Sequence, residues 1–148
     1  MRRATAEEAT TLTNIALEAK RHWGYPENWI KHWEADLTIT SKFITDHEVY
    51  VAEQNDETCG FYALCMDGDD AELEHLWVLP AYIGTGIGKE LFLDAMNRAS
   101  QLRVGEVNIT ADPNAAGFYE HMGARRVGDL QSEVEGTPRK LPRLKIKP

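Results

Sequence analysis

Apolar positions change their spacing several times along this chain, and each change marks an element. Across residues 5–21, Leu12, Ile15, Ala16 and Ala19 recur at helical spacing, which predicts a helix. Thr5 stands as its N-cap, with Glu8 three residues on as the capping-box partner. Gly24-Tyr25-Pro26 breaks that helix. A second short helix is expected over 27–36, with Trp29, Ile30 and Trp33 on one side. Strands follow, over 47–54, 59–66 and 71–79. They are separated by turns at Asn55-Asp56-Glu57 and Asp67-Gly68-Asp69-Asp70, which makes an antiparallel meander.

The helical period returns over 86–102, where Ile87, Leu91, Phe92, Ala95 and Ala99 form one stripe. A short strand over 106–111 alternates through Val107 and Ile109. Asp112-Pro113-Asn114 then opens another helix, with Asp112 as N-cap and Pro113 at the first helical position. Gly123 is its natural left-handed end. A short strand over 124–128, a polar loop over 129–142 and a last strand over 143–147 complete the chain. No repeat or linker interrupts this order. The expectation is a single α/β domain over 1–148 with one mixed sheet.

Composition narrows the function classes. A chain of 148 residues, 43% apolar and 27% charged, is long enough for a real core. The net charge of −8 argues against non-specific binding to nucleic acid or an anionic membrane. It is compatible with a cationic substrate such as an amine, and solubility explains it equally well. No apolar run reaches the ~20 residues that span a bilayer, and the N-terminus lacks a signal-peptide core, so a cytoplasmic location is expected. Arg139, Lys140, Arg143, Lys145 and Lys147 read as a solvated face near the end. Cys59 and Cys65 lie about 20 Å apart along one strand, too far to pair, and they form no metal site.

One loop carries chemistry. Ile83-Gly84-Thr85-Gly86-Ile87-Gly88-Lys89 joins a strand end to a helix start. Free N–H groups and the helix dipole make such a place an anion site, and glycines let a phosphate approach the backbone. A plain tight turn shares this chemistry. A Walker A loop fails at Ile83 and Glu90, and a Rossmann fingerprint fails at Lys89.

The stretch resembles motif A of the GNAT (Gcn5-related N-acetyltransferase) superfamily, Arg/Gln-x-x-Gly-x-Gly/Ala after a strand ending in Val. Gly86 and Gly88 fill the glycine positions, and Ile83 departs from the Arg/Gln position. Downstream, Asn114, Phe118-Tyr119 and Gly123 resemble motif B of the same family. The resemblance covers about 71–128. It implies a mixed, mostly antiparallel central sheet flanked by helices and splayed between the fourth and fifth strands. It implies that acetyl-CoA is bound through residues 83–89, the end of the preceding strand (Leu76, Trp77, Val78), Asn114 and Phe118. It also implies that Tyr119 protonates the leaving thiolate, with no metal involved. Phe118 and Tyr119 also read as ordinary core aromatics on an amphipathic helix, which for Phe118 is the preferred reading.

Acetyl transfer needs a proton sink for the attacking amine. Strict alternation puts Glu72, Glu74, Leu76 and Val78 on one face of the strand and His75 and Trp77 on the other. Glu74 is the first candidate base and Glu72 the second; burial between apolar neighbours would raise such a carboxyl's pKa. Two solvent-facing glutamates would show the same pattern. His22, Trp23, Tyr25, Trp29 and Trp33 form an aromatic cluster. Trp23, Tyr25 and Trp29, with Glu74, are candidate walls for an acceptor; helix-to-sheet packing explains Trp29 and Trp33 as well.

The resulting expectation is an N-acetyltransferase. It would move an acetyl group from acetyl-CoA to a primary amine of a small molecule or peptide, by direct attack in a ternary complex. A non-catalytic acyl-CoA-binding or regulatory module on the same fold is the alternative, and an interaction protein with no ligand at the loop is the next. A homodimer is compatible with the family.

Overall fold

Each change of period becomes an element in the computed structural model, which describes residues 1–148. The Thr5 N–H donates to Glu8 Oε1 at 2.9 Å, and a single 3₁₀ turn leads into α1 (Ala9–His22). Leu12, Ile15, Ala16 and Ala19 are its buried stripe. α2 spans Glu27–Leu37. A further short helix, α3 (Ser41–Asp46), was not expected; Thr40 caps it by accepting the Phe43 N–H at 3.0 Å. The meander follows as β2 (Glu48–Gln54), β3 (Glu57–Asp67) and β4 (Asp70–Val78). Asn55 and Asp56 both take positive φ, which matches a two-residue hairpin loop to the twist of the strands.

After β4 come α4 (Ile87–Gln101), β5 (Val107–Thr110), α5 (Ala116–His121), β6 (Arg125–Val134) and β7 (Thr137–Ile146). A two-residue β1 (Arg2–Arg3) precedes α1. The seven strands order as β1-β2-β3-β4-β5-β7-β6, antiparallel except at β4–β5. One core packs α4 and α5 on one face of the sheet, around Tyr62, Leu91, Phe92 and Ile109. A second core packs α1 to α3 on the other face, around Leu12, Ile44, Val51 and Phe61. No helix is long and apolar enough to cross a membrane.

Two expectations are corrected. The stretch 129–142 is no loop: it forms most of a long hairpin, turning at Glu135-Gly136 with both at positive φ. β6 is an edge strand exposed along most of its length, so it carries no buried alternation to read. Asp112 does not cap a helix either. Its carboxylate accepts the Asn114 N–H at 2.8 Å in a turn, and the helix starts only at Ala116.

Gly60 marks the tightest approach in the sheet. A Cβ there would lie 2.8 Å from the Trp77 carbonyl oxygen and 3.0 Å from Leu91 Cδ1. Gly60→Ala must push β4 or α4 away, so it should destabilise by about 1–3 kcal/mol. Urea unfolding would show a lower midpoint at unchanged slope; an unchanged midpoint would mean that the strands yield freely.

Candidate active site

Parallel pairing of β4 and β5 holds at only two positions, Ala71 with Val107 and Glu72 with Asn108. Beyond them the strands part. A β-bulge accompanies the parting: Ala63 faces His75 and Leu64 faces Leu73, so Glu74 has no partner on β3. The bulge also overturns the expected alternation. Ala71, Leu73, Leu76 and Val78 now share the α4 face, while His75 and Trp77 share the opposite face with Glu72. One extra residue reverses the parity of everything before it.

The gap is a cleft of about 250 Å³. From β4 it takes Glu74, Leu76, Trp77 and Val78; from the far side it takes Ala111, Asp112, Asn114, Phe118 and Tyr119. Ile83, half-exposed, and Gly88 line its mouth. Gly84 and Gly86 take left-handed backbone (φ 82° and 89°), which Cβ-bearing residues reach only with strain. The loop thereby enters α4 with the N–H groups of Gly86, Ile87, Gly88 and Lys89 free of internal hydrogen bonds; the first helical bond runs from Glu90 N–H to Gly86 O. Thr85 N–H is spent on the Tyr82 carbonyl. The free donors form a cradle that suits a phosphate.

Tyr119 is buried against Phe92 and Phe118, at ring distances of 6.0 and 5.3 Å. Its hydroxyl has no protein partner and borders the cleft. Burial, and secondly the charge of Asp112, push its pKa well above the ordinary tyrosine value, so the proton stays on.

The two glutamates part company. Glu74 is exposed at the bulge and lines the cleft. Glu72 is half-buried on the other face, where Thr110 Oγ1 donates to it at 3.4 Å. Burial raises the Glu72 carboxyl against the pull of Arg143. An upward shift is thus present at Glu72, the second candidate. His75, also partly buried, is held down to about 4 by burial.

The aromatic cluster has an unforeseen content. Tyr25, Trp29 and Trp33 touch one another at 4.9–5.9 Å between ring centres. They enclose two of the chain's own cations: Lys20 Nζ lies 4.1 Å from the Trp33 ring, and Arg139 lies 5.1 Å from those of Tyr25 and Trp33. Lys20 donates to Asp112 at 2.7 Å, Tyr25 donates to the same carboxylate at 3.0 Å, and Arg139 donates to the Tyr25 hydroxyl at 2.8 Å. Burial works to raise the Asp112 carboxyl, but Lys20 and the surrounding donors outweigh it and hold it below the aspartate range. Tyr25 is pushed up to about 12, by burial first and then by Asp112. Of the candidate acceptor walls, Trp23 and Glu74 line the cleft, whereas Tyr25 and Trp29 sit one layer behind it. Asn114 reaches the cleft too, but its side-chain N–H groups are committed to Tyr25 and Asp112, leaving its oxygen to accept. Lys20 was missed because it sits in an ordinary helix pattern, and Arg139 because it was read as part of a solvated basic face; the fold instead largely buries the Arg139 side chain, on β7, and brings both to Asp112.

The family model of the GNAT acetyltransferase domain matches residues 8–138. The chain belongs to the GNAT acetyltransferase family. Solved structures of that family share its fold. PaiA N-acetyltransferase from Thermoplasma acidophilum, in complex with coenzyme A, is 23% identical over 99% of this chain and 97% of its own, with a TM-score of 0.74. A GCN5-related N-acetyltransferase from Rhodopseudomonas palustris is 18% identical over 100% and 99%, with a TM-score of 0.78. A GNAT family acetyltransferase from Elizabethkingia anophelis with acetyl-CoA bound is 20% identical over 72% and 80%, with a TM-score of 0.61. Among curated proteins no sequence match is found. The splay between β4 and β5 that the resemblance implies is present here, where pairing stops after two positions.

The buried ion pair yields a test. Asp112→Asn leaves Lys20 and Arg139 facing each other without a counter-charge, which should cost about 3–5 kcal/mol. Adding Lys20→Met should restore a good part of it, so the two changes together cost clearly less than their sum in urea unfolding. Strict additivity would show that the pair does not interact.

Proposed function

We propose that this GNAT protein transfers an acetyl group from acetyl-CoA to a primary amine of a small molecule or peptide, directly, in a ternary complex. One observation carries the reading: a single cleft has a cradle of free N–H groups at its mouth and a protonated, unpartnered tyrosine hydroxyl in its wall. A binding module has use for the cradle but none for that hydroxyl. The cradle at 86–89 suits the pyrophosphate, the apolar walls suit the pantetheine arm, and the Asn114 oxygen can accept from an amide N–H of that arm. Acetyl-CoA is then a substrate, released as the free thiol.

The residues fit the proton bookkeeping. The neutral amine attacks the thioester carbonyl carbon, and the C–S bond breaks as the new C–N bond settles. Tyr119 gives its proton to the departing sulfur; a thiol near 8.5 holds that proton, and solvent restores the tyrosine. Glu74 takes the amine's proton, directly or through water, because it is the glutamate that reaches the cleft. Glu72 is the second carboxylate on the same strand.

Tyr119→Phe should lower kcat roughly 100-fold while acetyl-CoA affinity, by calorimetry, stays within about threefold. An unchanged kcat would remove Tyr119 as the acid. Glu74→Gln should likewise cost roughly 100-fold and flatten the acidic limb of kcat/KM against pH. Because burial raises Glu72, a base there would place the limb above the ordinary glutamate value of about 4.3. A limb that persists in Glu74→Gln and vanishes in Glu72→Gln would move the role to Glu72.

A further inference from the structure

On the sheet face opposite α4, an open pocket of about 630 Å³ runs along β4 beside the end of α2. We propose that this pocket receives the acceptor, and that the acceptor is an amine carrying a second positive charge, of the diamine or polyamine class. The identity as acceptor rests on the acetyl-transfer reading; the binding preference does not.

Three observations lead there. The first is adjacency: Leu73, Glu74 and Thr110 line both this pocket and the cleft, so the two adjoin at the splay. A ligand here can reach the same carboxylate that borders Tyr119.

The second is charge. Asp36, Asp67, Glu72 and Glu74 line the wall, and no lysine or arginine does. None of the four joins an ion pair, unlike Glu48, Glu106 and Asp112, which each hold an arginine or lysine. Arg143 is a cation whose field reaches Glu72. Unpaired carboxylates in a concave wall focus a field that concentrates cations.

The third is His75. Its ring is enclosed by Phe43, Phe61 and Trp77. The Trp77 indole N–H donates to His75 Nδ1 at 3.0 Å. An indole can only donate, so Nδ1 is the bare nitrogen and the proton sits on Nε2. That Nε2–H has no partner in the protein, and His75 lines the pocket. Burial keeps the ring neutral, so it offers the ligand a donor without cancelling the carboxylates' charge.

A diamine satisfies this wall and the chemistry together. One nitrogen sits uncharged beside Glu74 while the ammonium at the other end faces Asp36 and Asp67. The ammonium also lowers the basicity of the reacting nitrogen, which eases loss of its proton.

The test compares diaminobutane with n-butylamine, by calorimetry on the protein saturated with CoA. Diaminobutane should bind about tenfold more tightly at low salt, and the preference should shrink as salt rises. Asp36→Asn with Asp67→Asn, both at exposed positions, should bring the ratio close to one. Equal affinities in the wild type, or a preference that survives in the double variant, overturn the proposal. Thiol release from acetyl-CoA is read separately. Diamine preference without thiol release keeps the cationic site and rejects acetyl transfer; transfer to butylamine with no diamine preference does the reverse.

Discussion

Hydrogen bonding between β4 and β5 lasts for two residue pairs and then stops, and the site exists because it stops. A parallel ladder normally runs on, since each unpaired N–H or C=O buried without a partner costs about 1–3 kcal/mol. Here β4 continues from Leu73 to Val78 while β5 ends at Thr110. That stretch of β4 is bonded to β3 on one side only, which makes it an internal edge. An internal edge offers an extended ligand what a neighbouring strand would otherwise offer. The bulge at Glu74 sits where the ladder ends and turns the remainder of β4 outward. It also aims a carboxylate into the gap, which a regular strand would have kept on the face of Leu76 and Val78.

Where the strands have parted, a buried ion pair ties down the chain that leaves β5. Asp112 follows directly on the last bonded stretch of β5, and Lys20 reaches it from α1. Tyr25 and Arg139 tie the same carboxylate to the α1–α2 connection and to β7. Two cations and one carboxylate with side chains 6–11% exposed are expensive to bury. The rings of Tyr25, Trp29 and Trp33 offset part of that cost through cation–π contact. The same network explains why residues 112–115 form a turn. Asp112 is committed to Lys20 and to the Asn114 N–H, so it cannot cap α5, and the helix begins late enough to bring Tyr119 to the cleft wall.

Much of this was legible in the chain itself. The meander, α4 with its glycine entry, and the Gly123 ending of α5 follow from periods and from residues that permit positive φ. The cradle followed from glycines at a strand-to-helix join, a local feature. Three things were not legible, each for a physical reason. The β6–β7 hairpin lies at an edge and carries Pro138 and Pro142, so neither alternation nor propensity announces it. The bulge is a property of the pairing of two strands, and one strand's pattern does not reveal it; assigning Glu72 and Glu74 to one face failed there. The Lys20–Asp112 pair joins residues 92 positions apart, and no short motif spans that distance.

Ile83 shows how the site's charge is organised. An arginine or glutamine at this position would present a polar side chain to a pyrophosphate; Ile83 instead exposes apolar surface at the cleft mouth. Recognition of an anion there falls to oriented N–H groups and the start of α4, which act at hydrogen-bond range. The opposite face of the sheet has the reverse character, with unpaired carboxylates and a neutral histidine along β4. On the proposed reading, a donor with anionic phosphates and an acceptor with cationic nitrogen would be drawn to different faces of one sheet. On that reading they would meet where β4 and β5 part, beside Glu74 and Tyr119. An arginine at position 83 would add a charged side chain to the backbone donors that face the anion at the cleft mouth.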